Sequence, residues 1–190
     1  PYLGGEYVDT VVENGQKITK VNYHQIGHFE FVNQLGQTIT EKDVAGKVYI
    51  ADFFFTTCPT ICPIMKKEML RVYEHFKATP EVKILSHSID PEHDSVAVLK
   101  DYAERLEINA DKWAMLTTAQ QDYVYEIAEK HYLVTANADE NAPGGYIHSG
   151  AFILVDGNRH IRGYYDGTKT EDVDRLIRDV EKLLAQEYSK

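Results

Sequence analysis

The feature that most constrains this chain is residues 48–55, Val-Tyr-Ile-Ala-Asp-Phe-Phe-Phe. A strand with one wet face alternates polar and apolar residues. This run is β-branched and aromatic with one polar interruption, so it reads as a central strand covered on both faces. Such a strand needs helices around it. Pro63 suits the first turn of a helix, where its missing N–H costs nothing, and Met65, Met69, Val72 and Phe76 form one apolar face at i, i+4, i+7 and i+11. Residues 82–89 read as the next strand. Ser95 is placed to cap a helix whose inner side is Val96, Leu99, Tyr102, Ala103 and Leu106, and residues 120–131 form a further helix with Tyr123, Val124, Ile127 and Ala128 inward. Residues 151–155 are a short buried strand, Asp156-Gly157-Asn158 a turn, and residues 161–165 the returning strand. The final helix starts at Thr170 as cap, with Glu171 and Asp172 favouring its positive end and Val173, Leu176, Ile177, Val180, Leu183 and Leu184 as its apolar stripe. The expected order is β-α-β-α, then α-β-β-α: an α/β sheet closed by a hairpin and a helix.

Ahead of this grammar, residues 1–25 read as an N-terminal extension and residues 26–190 as one domain, since no repeat or Ser/Gly linker divides the chain. Val11-Val12 and Ile18 flank Asn14-Gly15, a pair that accepts the positive φ of a tight hairpin turn. A second hairpin is expected from Phe29 and Phe31 through the turn Asn33 to Gly36 and on to Thr38-Ile39-Thr40. Lys and Arg number 20 against 30 Asp and Glu, a net charge of −10. That sign opposes binding to phosphate backbones and anionic membrane surfaces, so neither is an expected partner. The apolar runs fall far short of the roughly 20 residues that span a bilayer. The chain opens with Pro1 and lacks a basic-then-apolar leader, which leads us to expect a removed upstream targeting or anchoring segment.

The chemistry concentrates at Cys58-Pro59-Thr60-Ile61-Cys62-Pro63, between the buried strand and the first helix. Strand ends and helix starts converge there on a rigid frame. Two cysteines are too few for a disulfide scaffold, and free cysteines are often plain core residues, yet the only two share one short loop with two prolines. If Pro63 opens the helix, Cys62 is its cap, and the positive helix end favours thiolate there. His148, in Gly144-Gly145-Tyr146-Ile147-His148-Ser149, precedes the strand at 151–155, and the loop carrying it can approach the cysteine loop. The other seven histidines read as structural or solvated. Asp52 is a carboxylate within an apolar strand, where an unpaired charge is costly. It points to an edge, is satisfied by a partner, or faces the cysteine loop from behind the ligands. Two sulfurs and an imidazole are a soft donor set suited to Cu(I), and able to hold Cu(II) with added oxygen or nitrogen. Zinc is disfavoured, because a structural site normally has four ligands and no second Cys or His pair completes one.

At these residues the sequence resembles the Sco/SenC family of thioredoxin-like copper proteins, which help assemble the dinuclear copper centre of cytochrome c oxidase. The resemblance runs from about His24 to the end and rests on three segments: residues 52–63, Ser88-Ile89-Asp90-Pro91-Glu92-His93-Asp94, and Ile147-His148-Ser149 followed by residues 152–157. It implies a thioredoxin-like fold and copper held by Cys58, Cys62 and His148. Many members carry Asp directly before that His, where this chain has Ile147. The resemblance also implies a copper-accepting oxidase subunit as partner, a copper donor or thiol reductant upstream, and a periplasmic or other extracytoplasmic location on a membrane tether.

The main competitor is a thiol–disulfide oxidoreductase on the same fold, with Cys58 and Cys62 as the redox pair. Such enzymes generally have two residues between the cysteines and a cis-proline before the facing strand. In this chain three residues intervene and Ser149-Gly150 precede that strand. A peroxiredoxin would need an Arg across the pocket, which finds no match, and a non-catalytic interaction domain would leave both cysteines incidental.

Overall fold

The computed structural model describes residues 1–188. The expected hairpin forms as β1 (Glu6–Glu13) and β2 (Gln16–Tyr23), in register Glu13 opposite Gln16, with Asn14 and Gly15 at φ 52° and 76°. Those positive angles are what the Asn-Gly turn supplies. This hairpin is a sheet of its own; isolated bridges from Leu3 and Gln25 to Ile161 and His160 tie its flanks to the body.

The body is a seven-stranded sheet. Its strands are β3 (Glu30–Asn33), β4 (Thr38–Thr40), β5 (Val48–Phe54), β6 (Val82–Ser88), β7 (Trp113–Thr117), β10 (Ala151–Val155) and β11 (Ile161–Asp166), in the order β11-β10-β5-β6-β7-β3-β4. A separate pair, β8 (Ala136–Ala138) and β9 (Tyr146–His148), lies in the segment before β10. Strands β5, β6 and β7 are parallel, whereas β10, β11, β3 and β4 each pair antiparallel to their neighbours. All seven residues of β5 are buried, as its apolar run required. The helices are α1 (Cys62–Phe76), α2 (Val96–Arg105), α3 (Gln121–Glu126, continuing as a π-turn over Ile127–His131) and α4 (Thr170–Tyr188). Helix α4 packs on α1, β5 and β11, and α2 packs on β7 and β3. The mixed α/β sheet with flanking helices is thioredoxin-like.

Three sequence expectations are corrected. Strand β7 stands between α2 and α3, where the sequence pattern placed none. Trp-Ala-Met-Leu-Thr is buried at every position, so it has neither polar alternation nor a β-branched run to mark it. Thr170 is the first helical residue rather than the cap, and its hydroxyl donates to Glu68 at 2.9 Å. Ile61, not Cys62, sits at the start of α1 in helical conformation (φ −80°, ψ −28°) with no side-chain cap, so Cys62 lies inside the helix.

One histidine is part of the core. His87 on β6 is fully buried, stacked on Phe53 at 5.0 Å and edge-on to Phe31 and Tyr132. Its Nδ1 faces the Asp52 carbonyl at 3.3 Å, while its Nε2 has no partner. Burial lowers its pKa from 6.5 to about 4. In this window the unfolded chain binds a proton that the native state refuses, so stability rises with pH. The contribution is complete above pH 6.5 and is lost as pH falls through about 4, at a cost of about 3 kcal/mol. Denaturant melts between pH 7 and 4 should show this slope, and His87→Leu should flatten it. Parallel slopes in both proteins would assign the acid sensitivity to other groups.

Candidate metal centre

Strand β5 ends at Phe54, and the loop that follows carries Cys58 before α1 begins at Cys62. Both cysteines are unpaired thiols, 8% and 3% exposed respectively. His148 ends β9 and enters the site from the other side. One ligand atom from each of Cys58, Cys62 and His148 lies within 4.8 Å of the other two. No other group of three or more His, Cys, Asp or Glu side chains among the described residues is arranged to hold a metal.

The hydrogen bonds orient the imidazole. His148 Nδ1 lies 3.1 Å from the Ser149 carbonyl, which can only accept, so the ring proton sits on Nδ1. Nε2 then carries its lone pair toward Cys62 Sγ, 3.2 Å away. Burial lowers the His148 pKa and favours the neutral, ligating form. Phe55 packs edge-on against the ring at 5.8 Å.

The cysteines differ, and in the opposite sense to the helix-end argument. Burial pushes the Cys62 thiol far up, and the neighbouring Cys58 adds to the rise. At Cys58 burial also pushes upward, but hydrogen bonds from the Thr60 and Cys62 backbones and side chains outweigh it, and the pKa falls below that of an ordinary thiol. Being inside the first turn, Cys62 carries a desolvation cost that exceeds the benefit of the helix end.

The loop that brings in His148 is fixed by contacts that the sequence did not reveal. Gly144 has φ +83°, and a Cβ there would meet Phe55 at 2.9 Å and Pro59 at 3.1 Å, so only glycine lets this loop close on the cysteine loop. Tyr146 donates to Asp90 at 3.0 Å, which ties β9 to the residues after β6. Asp94 accepts from the Thr56 backbone at 3.1 Å, from the Thr56 hydroxyl and from Ser88 Oγ at 2.6 Å, fixing the end of β5 to that of β6. The aspartates of the 88–94 motif therefore brace the site.

Asp52 is not at an edge. It lies in β5 between β10 and β6, 1% exposed, and accepts from Ser86, whose hydroxyl oxygen in turn accepts from Trp113 Nε1 at 2.8 Å. Burial raises its pKa, while the fields of Lys66 and His148 oppose the rise. Lys66, which sequence reasoning passed over, is buried on α1 one turn after Cys62. Its signal was present, because positions 62, 66, 69, 73 and 76 form one helical stripe.

A thioredoxin-like frame with two thiols and an imidazole converging at the end of its central strand defines a protein of thiol or soft-metal chemistry. The sequence model described as SCO1/SenC matches residues 18–185, and the chain belongs to that family. A SCO1/SenC family lipoprotein from Bacillus anthracis str. Ames superimposes with TM-score 0.77 at 30% identity, covering 84% of this chain and 95% of its own. BsSco, described as a member of the Sco family of cytochrome c oxidase assembly proteins and as containing a disulfide switch, gives TM-score 0.75 at 32% identity over 88% of this chain and 95% of its own. Arabidopsis thaliana ScoI with copper bound gives 0.69 at 28% identity over 84% and 98%. No helix among the described residues is long and apolar enough to cross a membrane.

Proposed function

We propose that this chain is a copper carrier that binds one ion through Cys58 Sγ, Cys62 Sγ and His148 Nε2 and delivers it to the copper-accepting subunit during assembly of cytochrome c oxidase. The observation that carries this reading is the convergence of those three donors within 4.8 Å, in a family whose Arabidopsis thaliana member is seen with copper bound. The donor set fits the cargo. Two sulfurs and a neutral imidazole suit Cu(I), and the thiol protons are displaced when the metal binds. Three protein ligands, one on a short loop and one at the start of the helix that follows it, also favour release by ligand exchange to a partner's cysteines. A copper donor or a thiol reductant acts upstream, since the site must arrive reduced. The likeness to a lipoprotein supports an extracytoplasmic domain tethered to a membrane.

A ligand that binds only the native state stabilises it by about 2.7 kcal/mol when free metal is a hundredfold above Kd. Melting curves of reduced protein with stoichiometric copper should therefore shift upward. Superimposed curves with and without copper would end the proposal.

The lowered pKa of Cys58 favours a second reading, dithiol–disulfide exchange with cysteines of an assembly partner. In that reaction a partner disulfide would be reduced as Cys58 and Cys62 become a disulfide, with an external thiol reductant restoring them. A single assay of copper transfer to an apo dithiol acceptor against turnover of a model disulfide ranks the two. Rapid reduction without transfer would put the exchange reaction first and the copper carrier second.

A further inference from the structure

Lys66 is a buried charge beside the site that the three candidate copper ligands do not explain. It follows Cys62 by four residues on α1, so the two side chains are neighbours on one helical face. It is 5% exposed, and its Nζ is buried without a hydrogen-bond partner. The ammonium instead lies over the rings of Phe54 at 4.1 Å, Trp113 at 5.0 Å and Tyr102 at 5.4 Å. The adjacent Lys67 is exposed, so this burial belongs to position 66 and not to lysines of α1 in general.

A lysine normally extends its ammonium to water, and an unpaired buried cation is costly to hold. Three aromatic faces recover part of that cost. The remainder calls for negative charge nearby, and the anionic groups whose fields reach Lys66 are Asp52, Cys62 and Asp94. Those fields oppose the lowering of its pKa by burial. Two of the three, Asp52 and Asp94, are fixed carboxyl groups, each already accepting hydroxyl hydrogen bonds. The third, Cys62, becomes anionic when it ligates metal.

We infer that Lys66 is a charge-compensating residue that biases the site toward Cu(I), with Asp52 acting in the opposite sense. The inference rests on the copper reading above. Two thiolates around Cu(I) leave one surplus negative charge, which the Lys66 ammonium offsets. Around Cu(II) the same two thiolates already balance the metal, so the ammonium adds uncompensated positive charge. The Asp52 carboxylate does the reverse, offsetting the larger charge of Cu(II). Such charges act through a protein interior, where their interaction is several times stronger than in water.

The test is a pair of competition titrations on reduced protein, one with a Cu(I) chelator under anaerobic conditions and one with a Cu(II) chelator. Lys66→Met removes the charge and retains an unbranched chain for the aromatic cage; Lys66→Gln serves if the Met variant does not fold. Either should lower the ratio of Cu(I) to Cu(II) affinity by about tenfold or more, equivalent to a fall of about 59 mV per tenfold in the copper potential. Lys66→Arg, which keeps the charge, should stay near the wild-type ratio, and Asp52→Asn should raise it. A purely structural role for these residues would move both affinities together. The inference is overturned if the neutral variants keep the wild-type ratio, if Lys66→Arg loses as much as they do, or if Asp52→Asn shifts the ratio downward. Failure of the wild-type protein to bind either ion would instead sink the copper reading itself.

Discussion

Cys58→Ala and Cys62→Ala should each nearly abolish copper binding, with losses well beyond the roughly 10–100-fold that follows from removing a group behind a ligand. Each substitution leaves a single thiolate beside the imidazole, and one thiolate cannot hold Cu(I) in a two-sulfur arrangement. His148→Ala should act differently: Cu(I) keeps the thiolate pair and weakens modestly, whereas Cu(II) loses the nitrogen donor that suits it and weakens more. Chelator competition on the three variants reads this directly. Equal affinities across all three would place the metal elsewhere. The same logic makes binding dependent on redox state, because a Cys58–Cys62 disulfide consumes both thiolates; full copper binding by quantitatively oxidised protein would contradict the ligand assignment.

How much of this was legible beforehand follows from which interactions are local. The spacing Cys58-x-x-x-Cys62-Pro63 after a continuous apolar strand pointed to the candidate site, because strand, loop and helix start are consecutive in sequence. Asp52 announced itself as a charge where none belongs, and its burial between β10 and β6 bears that out. His148 could be selected among eight histidines only by its place before a strand. The bracing by Tyr146 and Asp90, by Asp94 and Thr56, and the aromatic cage of Lys66 join residues 38 to 56 positions apart or across different elements, so no periodicity shows them. Strand β7 was missed for a related reason. Burial on both faces removes the alternation by which a short strand is recognised.

The hardest quantity to read was the balance of local effects at one thiol, and it yields the second large effect. Cys58 should react with iodoacetamide faster than Cys62 in metal-free reduced protein at neutral pH, by roughly threefold for each unit that separates their pKa values. The thiolate is the nucleophile, and the two pKa values are displaced in opposite directions: upward at Cys62 by burial, downward at Cys58 by its hydrogen bonds. Each unit of separation changes the thiolate fraction about tenfold, and the lower nucleophilicity of the more acidic thiol returns only about a threefold part of it. Exposure acts in the same direction, at 8% for Cys58 against 3% for Cys62. Peptide mapping after brief labelling should find the label on Cys58, and copper should protect it. Equal labelling, or Cys62 first, would mean that the helix end outweighs desolvation after all. If copper is carried as proposed, this asymmetry would give the two thiols different parts in transfer: Cys58 would be the thiolate an incoming or departing ion meets first, and Cys62, with His148 Nε2 at 3.2 Å, the one that would retain it until a partner supplies its own sulfurs.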